Sequence, residues 1–283
     1  MIPPPATPAD QNTLLGPVVV WDVPLRYRAA GSGARMPLVL LHGWGGSSRY
    51  WRSTLAALDD RPVLAPDLPG FGESPPLSGP ASAARLAEFV VAFADAVGLE
   101  RFDLNGHSFC ASVAAYLAAR HPERVRRLVL TCVSTFRNEL ERRVVNQVHH
   151  LMGVWMALRR PWMARSPAFA RAVGTRFFYR LPSDTRVLTE AFTDFLKMDR
   201  RTALETAASA GDPEINRAFQ AIRVPTLVIG ARQDRIMPPA GTPEVARLIP
   251  GSRLIWLERC GHLPMLECPE EYHRALREFL DAL

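Results

Sequence analysis

Phe102-Asp103-Leu104-Asn105-Gly106-His107-Ser108-Phe109-Cys110 leads into an alanine-rich segment ending near Arg120. An apolar run, a lone serine between small residues and a helix-forming tail predict a strand, a sharp turn and a helix. Such a turn exposes Oγ above the sheet, and the following helix aims its N-terminal dipole and free N–H groups at the same point. Small residues flank the serine because strand and helix backbones pass close together there. The pentapeptide departs from Gly-x-Ser-x-Gly at Cys110. Taken alone, it fits an ordinary strand–turn connection equally well.

The 283 residues suffice for one large domain, or a domain with a substantial insertion. Hydrophobic residues at 48% and charged residues at 22% are the proportions of a soluble globular protein. No apolar run approaches the roughly twenty residues that span a bilayer. The opening segment is proline-rich, without a basic start or an apolar core. It is read as a disordered tail over residues 1–16, with no secretory signal. Cys110, Cys132, Cys260 and Cys268 show no Cys-x-x-Cys spacing and read as reduced thiols of a cytoplasmic protein. Net charge is +6 and Lys197 is the only lysine. Nine arginines lie between Ser134 and Arg180 against only Glu139 and Glu141. No nucleic-acid motif accompanies them.

Outward from the serine, Val18–Trp21 and Leu25–Ala30 predict an opening hairpin. Pro37–Leu41, Val63–Ala65, Phe102–Leu104, Leu128–Cys132, Thr226–Ile229 and Leu254–Trp256 read as strands buried on both faces. Leu86, Phe89, Val90 and Phe93 mark a helix over Ser82–Val97, and a C-terminal helix starts at Pro269. The alternation predicts an α/β fold with a mostly parallel sheet. Between Cys132 and Thr226 the alternation stops. There, Leu140 to Trp155 carry one helical stripe and Val187, Leu188, Ala191, Phe195 and Met198 another. We read 134–216 as a helical cap inserted in a core formed by 17–133 and 217–283.

An activated serine requires a base, an orienter for the base, and donors for the oxyanion. Asp234 stands in the loop after the Thr226 strand, and His262 in the loop after the last strand. In a parallel sheet these loops gather on one edge, so Ser108, Asp234 and His262 can converge. No histidine or carboxylate cluster shows metal-ligand spacing, and no metal or other cofactor is expected. His42 and His107 are read as structural. His121, His149, His150 and His273 are read as surface or cap-packing residues.

The order Ser, Asp, His resembles the α/β-hydrolase superfamily, in its branch with a helical cap. The likeness also rests on Leu41-His42-Gly43-Trp44-Gly45-Gly46 and on Asp67-Leu68-Pro69-Gly70-Phe71-Gly72-Glu73-Ser74, and covers roughly Val18 to Leu283. It implies Ser108 as nucleophile, His262 as base and then acid, and Asp234 as the partner of the imidazole. It places the oxyanion hole at the backbone N–H groups of Trp44 and Phe109.

Hydrolysis of a carboxylic ester through an acyl-serine is the leading expectation. Serine at position 108 argues against dehalogenase or epoxide hydrolase chemistry. C–C bond hydrolysis, thioesterase or acyl transfer, and cofactor-free haloperoxidase or perhydrolase activity share the same triad. A non-catalytic ligand receptor is the competing class. Trp44, Phe109 and Trp155 are the candidate substrate contacts, with Met152, Met156, Trp162 and Phe177 as further apolar residues of the cap. The substrate is expected to be a mainly apolar small molecule. The arginine-rich segment could receive an acidic partner or anionic surface, or form a solvated face.

Overall fold

The computed structural model describes residues 13–135, 160, 163, 166–209 and 212–282. Its strands are β1 (Leu15–Val20), β2 (Val23–Ala30), β3 (Leu38–Leu41), β4 (Val63–Pro66), β5 (Phe102–His107), β6 (Val125–Thr131), β7 (Thr226–Ala231) and β8 (Arg253–Leu257). They form one sheet in the order β1-β2-β4-β3-β5-β6-β7-β8. β1 and β2 make the expected hairpin, β2 runs antiparallel to β4, and all later pairings are parallel. The segment read as tail overlaps β1, because Leu15 pairs with Tyr27. Residues 1–12 lie outside the described residues.

The unbroken apolar runs are explained by burial on both faces. Val39, Leu41, Leu64 and Val228 pack on one side of the sheet. Leu38, Leu40, Val63, Leu227 and Ile229 pack on the other. The first side is covered by α2 (Ala83–Ala96), α3 (Phe109–Arg120), α7 (Glu214–Ala221) and α8 (Thr242–Leu248). The second is covered by α1 (Arg52–Ala57) and α10 (Pro269–Leu280), with the short α9 (Pro264–Glu267) leading into α10. Ser82 caps α2 by accepting the Arg85 N–H at 3.2 Å, and the expected stripe Leu86, Phe89, Val90, Phe93 is buried.

β5 and β6 run further than the apolar runs suggested. The polar residue added to β5 beside Leu104 is partnered: Asn105 donates to Tyr272 Oη at 2.6 Å and accepts from Thr131 Oγ1 at 3.0 Å. Between β6 and β7 the described residues form α4 (Pro167–Phe177), α5 (Thr185–Lys197), α6 (Arg200–Ser209) and α7. Only α5 was marked by its apolar stripe. α7 runs through the expected boundary at 217 and packs on α3. The stripe from Leu140 to Trp155 lies outside the described residues.

Candidate active site

The loops that follow β3, β5, β7 and β8 meet at the carboxyl edge of the sheet. Ser108 occupies the turn between β5 and α3 with φ 54° and ψ −122°, a conformation that costs an L-residue about 1–3 kcal/mol. Neighbours hold it there: its N–H donates to the Thr131 carbonyl at 2.9 Å, and its carbonyl accepts the Ala111 N–H at 2.9 Å. A side chain at Gly106 would meet the Cys110 carbonyl oxygen at 2.2 Å, so that glycine is required by the close strand–helix approach. Cys110, in place of the pattern's last glycine, is buried within the α3 core, and burial pushes its thiol pKa up. The sulfur is packed in the core and takes no part in the turn's hydrogen bonds.

His262 Nε2 lies 2.9 Å from Ser108 Oγ, and His262 Nδ1 lies 2.7 Å from Asp234 Oδ2. Asp234 Oδ1 accepts the N–H groups of Ile236 at 2.8 Å and Met237 at 2.9 Å. Burial alone would raise the Asp234 carboxyl, but His262 and these two amides hold it below the ordinary carboxylate value. Nδ1 therefore carries the proton toward Asp234, and Nε2 is left to accept from Ser108. All three side chains are buried, with Ser108 8% exposed. The sequence-predicted triad is brought together as one hydrogen-bonded row.

The loop after β3 lies directly over the serine. A Cβ on Gly43 would stand 2.7 Å from His107 Nδ1 and 3.1 Å from Ser108 Cβ. Trp44 Nε1–H donates to Thr206 Oγ1 at 3.0 Å, and its ring meets Phe195 edge-on at 5.5 Å. Among the described residues, neither the Trp44 nor the Phe109 backbone N–H has a hydrogen-bond partner. For Phe109 this follows from its place as the first residue of α3.

His42 and His107 are structural, as their sequence positions implied. His42 accepts the Leu68 N–H at 3.0 Å, tying the Gly43 loop to the Asp67 loop. His107 Nε2 donates to the His262 carbonyl at 2.7 Å, and burial lowers its pKa to about 3. His273 is a correction: it is half-buried against α1, 3.0 Å from Thr54 Oγ1, and burial lowers its pKa to about 4. His149 and His150 lie outside the described residues. Two further acids flank the histidine loop. Glu258 pairs with Arg232 at 3.1 Å, and Glu267 accepts the Gly261 N–H at 2.7 Å.

Ligand atoms of His107, Cys132 and His262 fall within 4.8 Å of one another. Their imidazole nitrogens are already engaged by Tyr50, Asp234, Ser108 and a carbonyl. Burial, and then the charge of Asp234, raise the Cys132 thiol, so it stays protonated. The two imidazoles are thus committed to the hydrogen-bond network.

A cavity of about 1260 Å³ opens above Ser108 and is lined by Trp44, Phe109, Phe177, Phe192, Phe195 and Met237 among others. Of the candidate apolar contacts, Trp44, Phe109 and Phe177 line this cavity; Trp155, Met152, Met156 and Trp162 lie outside the described residues. Sequence reasoning missed Phe192, Phe195 and Tyr50, whose apolar or aromatic character carries no positional signal. Of the nine arginines, Arg160, Arg171, Arg176 and Arg180 are described and exposed. Arg176 and the exposed Arg235 line the cavity without a carboxylate partner among the described residues. No helix among the described residues is long and apolar enough to cross a membrane.

A family model described as alpha/beta hydrolase fold matches residues 36–269. The chain is 30% identical to a 2-hydroxymuconate semialdehyde hydrolase of Pseudomonas putida, over 88% of each chain. It is 28% identical to a pimeloyl-[acyl-carrier protein] methyl ester esterase of Neisseria meningitidis, over 90% of this chain and 97% of that protein. Among solved structures it is similar to a hydrolase from Pseudomonas aeruginosa at TM-score 0.80 and 25% identity, covering 95% of this chain and 99% of the other.

Proposed function

Since this chain belongs to the α/β-hydrolase family, we propose that it is a serine hydrolase that cleaves a carboxylic ester through an acyl-serine intermediate. The observation that carries this reading is the row Asp234 Oδ2, His262 and Ser108 Oγ, with contacts of 2.7 and 2.9 Å. His262 Nε2 takes the Oγ proton as Oγ attacks the ester carbonyl, while Asp234 stabilises the imidazolium and fixes its tautomer. The Trp44 and Phe109 N–H groups receive the oxyanion. His262 then returns the proton to the leaving alkoxide. A water activated by the same imidazole releases the acid and restores Ser108. The helices within 134–216 act as a cap over a core of 17–133 and 217–283. The cavity they close favours an apolar acyl group, with Trp44 and Phe109 as its contacts.

Cleavage of a carbon–carbon bond is the second reading, supported by the likeness to the semialdehyde hydrolase. Arg176 and Arg235 at the cavity, with the other arginines of 134–180, suit an anionic substrate or an acidic partner. Raising salt should then lower kcat/KM for an anionic ester and leave a neutral one unchanged. Turnover of p-nitrophenyl esters of graded acyl length, of a thioester and of a ring-fission diketone separates the chemistries. Ser108→Ala should abolish every activity found; unchanged ester turnover in that variant would refute the proposal.

A further inference from the structure

Resting on the serine-hydrolase reading, we propose that Tyr50 is a positioning residue that locks the oxyanion loop onto the nucleophile turn through His107. The Gly43 N–H donates to Tyr50 Oη, and Tyr50 Oη in turn contacts His107 Nδ1 at 3.1 Å. His107 Nε2 reaches the His262 carbonyl at 2.7 Å. That carbonyl can only accept, so Nε2 holds the ring's proton and Nδ1 accepts from the Tyr50 hydroxyl. The row then runs in one direction, with Tyr50 and His107 each accepting once and donating once: Gly43 N–H to Tyr50, Tyr50 O–H to His107, His107 N–H to the His262 carbonyl. Three loops that carry the proposed oxyanion donor, nucleophile and base are joined by one hydrogen-bonded chain.

Orientation follows from this chain. The Gly43 carbonyl accepts from His42 Nδ1 at 2.9 Å and from the Gly46 N–H at 3.0 Å, both inside the loop. In a trans peptide the next N–H points opposite to that carbonyl, so the Trp44 N–H faces out of the loop. The Gly43 N–H cannot rotate to compete for the substrate oxygen while Tyr50 holds it. The loop is also shaped around the phenol: a Cβ on Gly46 would lie 2.4 Å from Tyr50 Cε1. Tyr50 packs edge-on to His107, with centroids 5.7 Å apart and planes at 83°. Burial keeps the phenol pKa well above its ordinary value and the His107 pKa at about 3, so both stay neutral across the working range.

Tyr50→Phe keeps the ring and removes the oxygen, leaving Gly43 free to turn. On p-nitrophenyl butyrate, kcat should fall about 10- to 100-fold with KM changed less than about threefold. Inhibition by an alkyl trifluoromethyl ketone, which forms a tetrahedral oxyanion on a reactive serine, should weaken in proportion to kcat. Competitive inhibition by butyrate should not change. A purely structural role would instead shift both inhibitors together with the melting temperature, and that result would overturn the proposal, as would a kcat within about threefold of wild type. If Tyr50→Phe fails to fold, His107→Gln carries the same test: it keeps a donor for the His262 carbonyl and removes the ring nitrogen Nδ1 that faces Tyr50. Wild-type protein inert to the trifluoromethyl ketone would show that the serine-hydrolase reading itself has failed, whereas an inhibited wild type with an unaffected Tyr50→Phe would sink only the positioning role.

Discussion

At its amino end, β5 carries Asp103, which accepts Arg126 Nε at 2.8 Å and Nη2 at 2.6 Å with no exposure to solvent. Past its carboxyl end stands Ser108 at φ 54°, beside the Trp44 and Phe109 amides, which have no hydrogen-bond partner among the described residues. The same sheet buries polar groups at both edges but uses them differently. Around Asp103, the fully buried Arg61 also pairs with Asp281, while Arg126 and Arg127 donate to the Leu280 carbonyl at 2.7 and 2.6 Å. That edge fastens the C-terminal helix to the sheet. At the other edge the neighbours enforce strain and, among the described residues, leave two donors open, which suits the proposed oxyanion site.

The contrast can be broken from either end. The largest effect is expected for His262→Ala, with ester turnover falling about 10⁴-fold or more and the urea midpoint little changed. The reverse pattern is expected for Asp103→Asn. It removes the charge that Arg126 pairs with, while Arg61 keeps Asp281, and should cost about 1–3 kcal/mol in urea unfolding. Activity per folded molecule should hold. Acid sharpens the comparison further. Burial lowers His107 to about 3 and His273 to about 4 from an ordinary 6.5, so the unfolded chain binds protons that the fold does not. Stability should be full above about 6.5 and decline as pH falls toward these values; Asp234, held below 3.8, adds to the loss at the acid end. Urea titrations from neutral to acid pH check the direction. The smallest effect is expected for Cys110→Gly: kcat/KM within about threefold of wild type and a stability loss of about 1 kcal/mol from glycine in a helix. Abolished activity with the fold intact would refute the inert role of that sulfur.

How far each region could be read in advance follows the same division. The parallel strands were legible because Pro37–Leu41 and Thr226–Ile229 are apolar on both faces, and the triad because each member ends a strand in a fixed order. Asn105 to His107 were not read as strand, since their burial depends on Tyr272 and Thr131, distant in sequence. The ion network around Asp103 was invisible for that reason too, as its arginines look like any surface charge. His273 misled because a helix-end histidine shows nothing of α1 packed against it. Tyr50 gave no signal at all: its role is set by Gly43 and His107, and only the folded loops bring them together.

The activation of Ser108 is tested most directly by intact-protein and peptide mass spectrometry after brief exposure to a fluorophosphonate. We expect one adduct, on the peptide bearing Ser108, formed rapidly by the wild type and lost in His262→Ala. An unmodified Ser108, or equal labelling with and without His262, would contradict the account of this edge as a prepared nucleophile site.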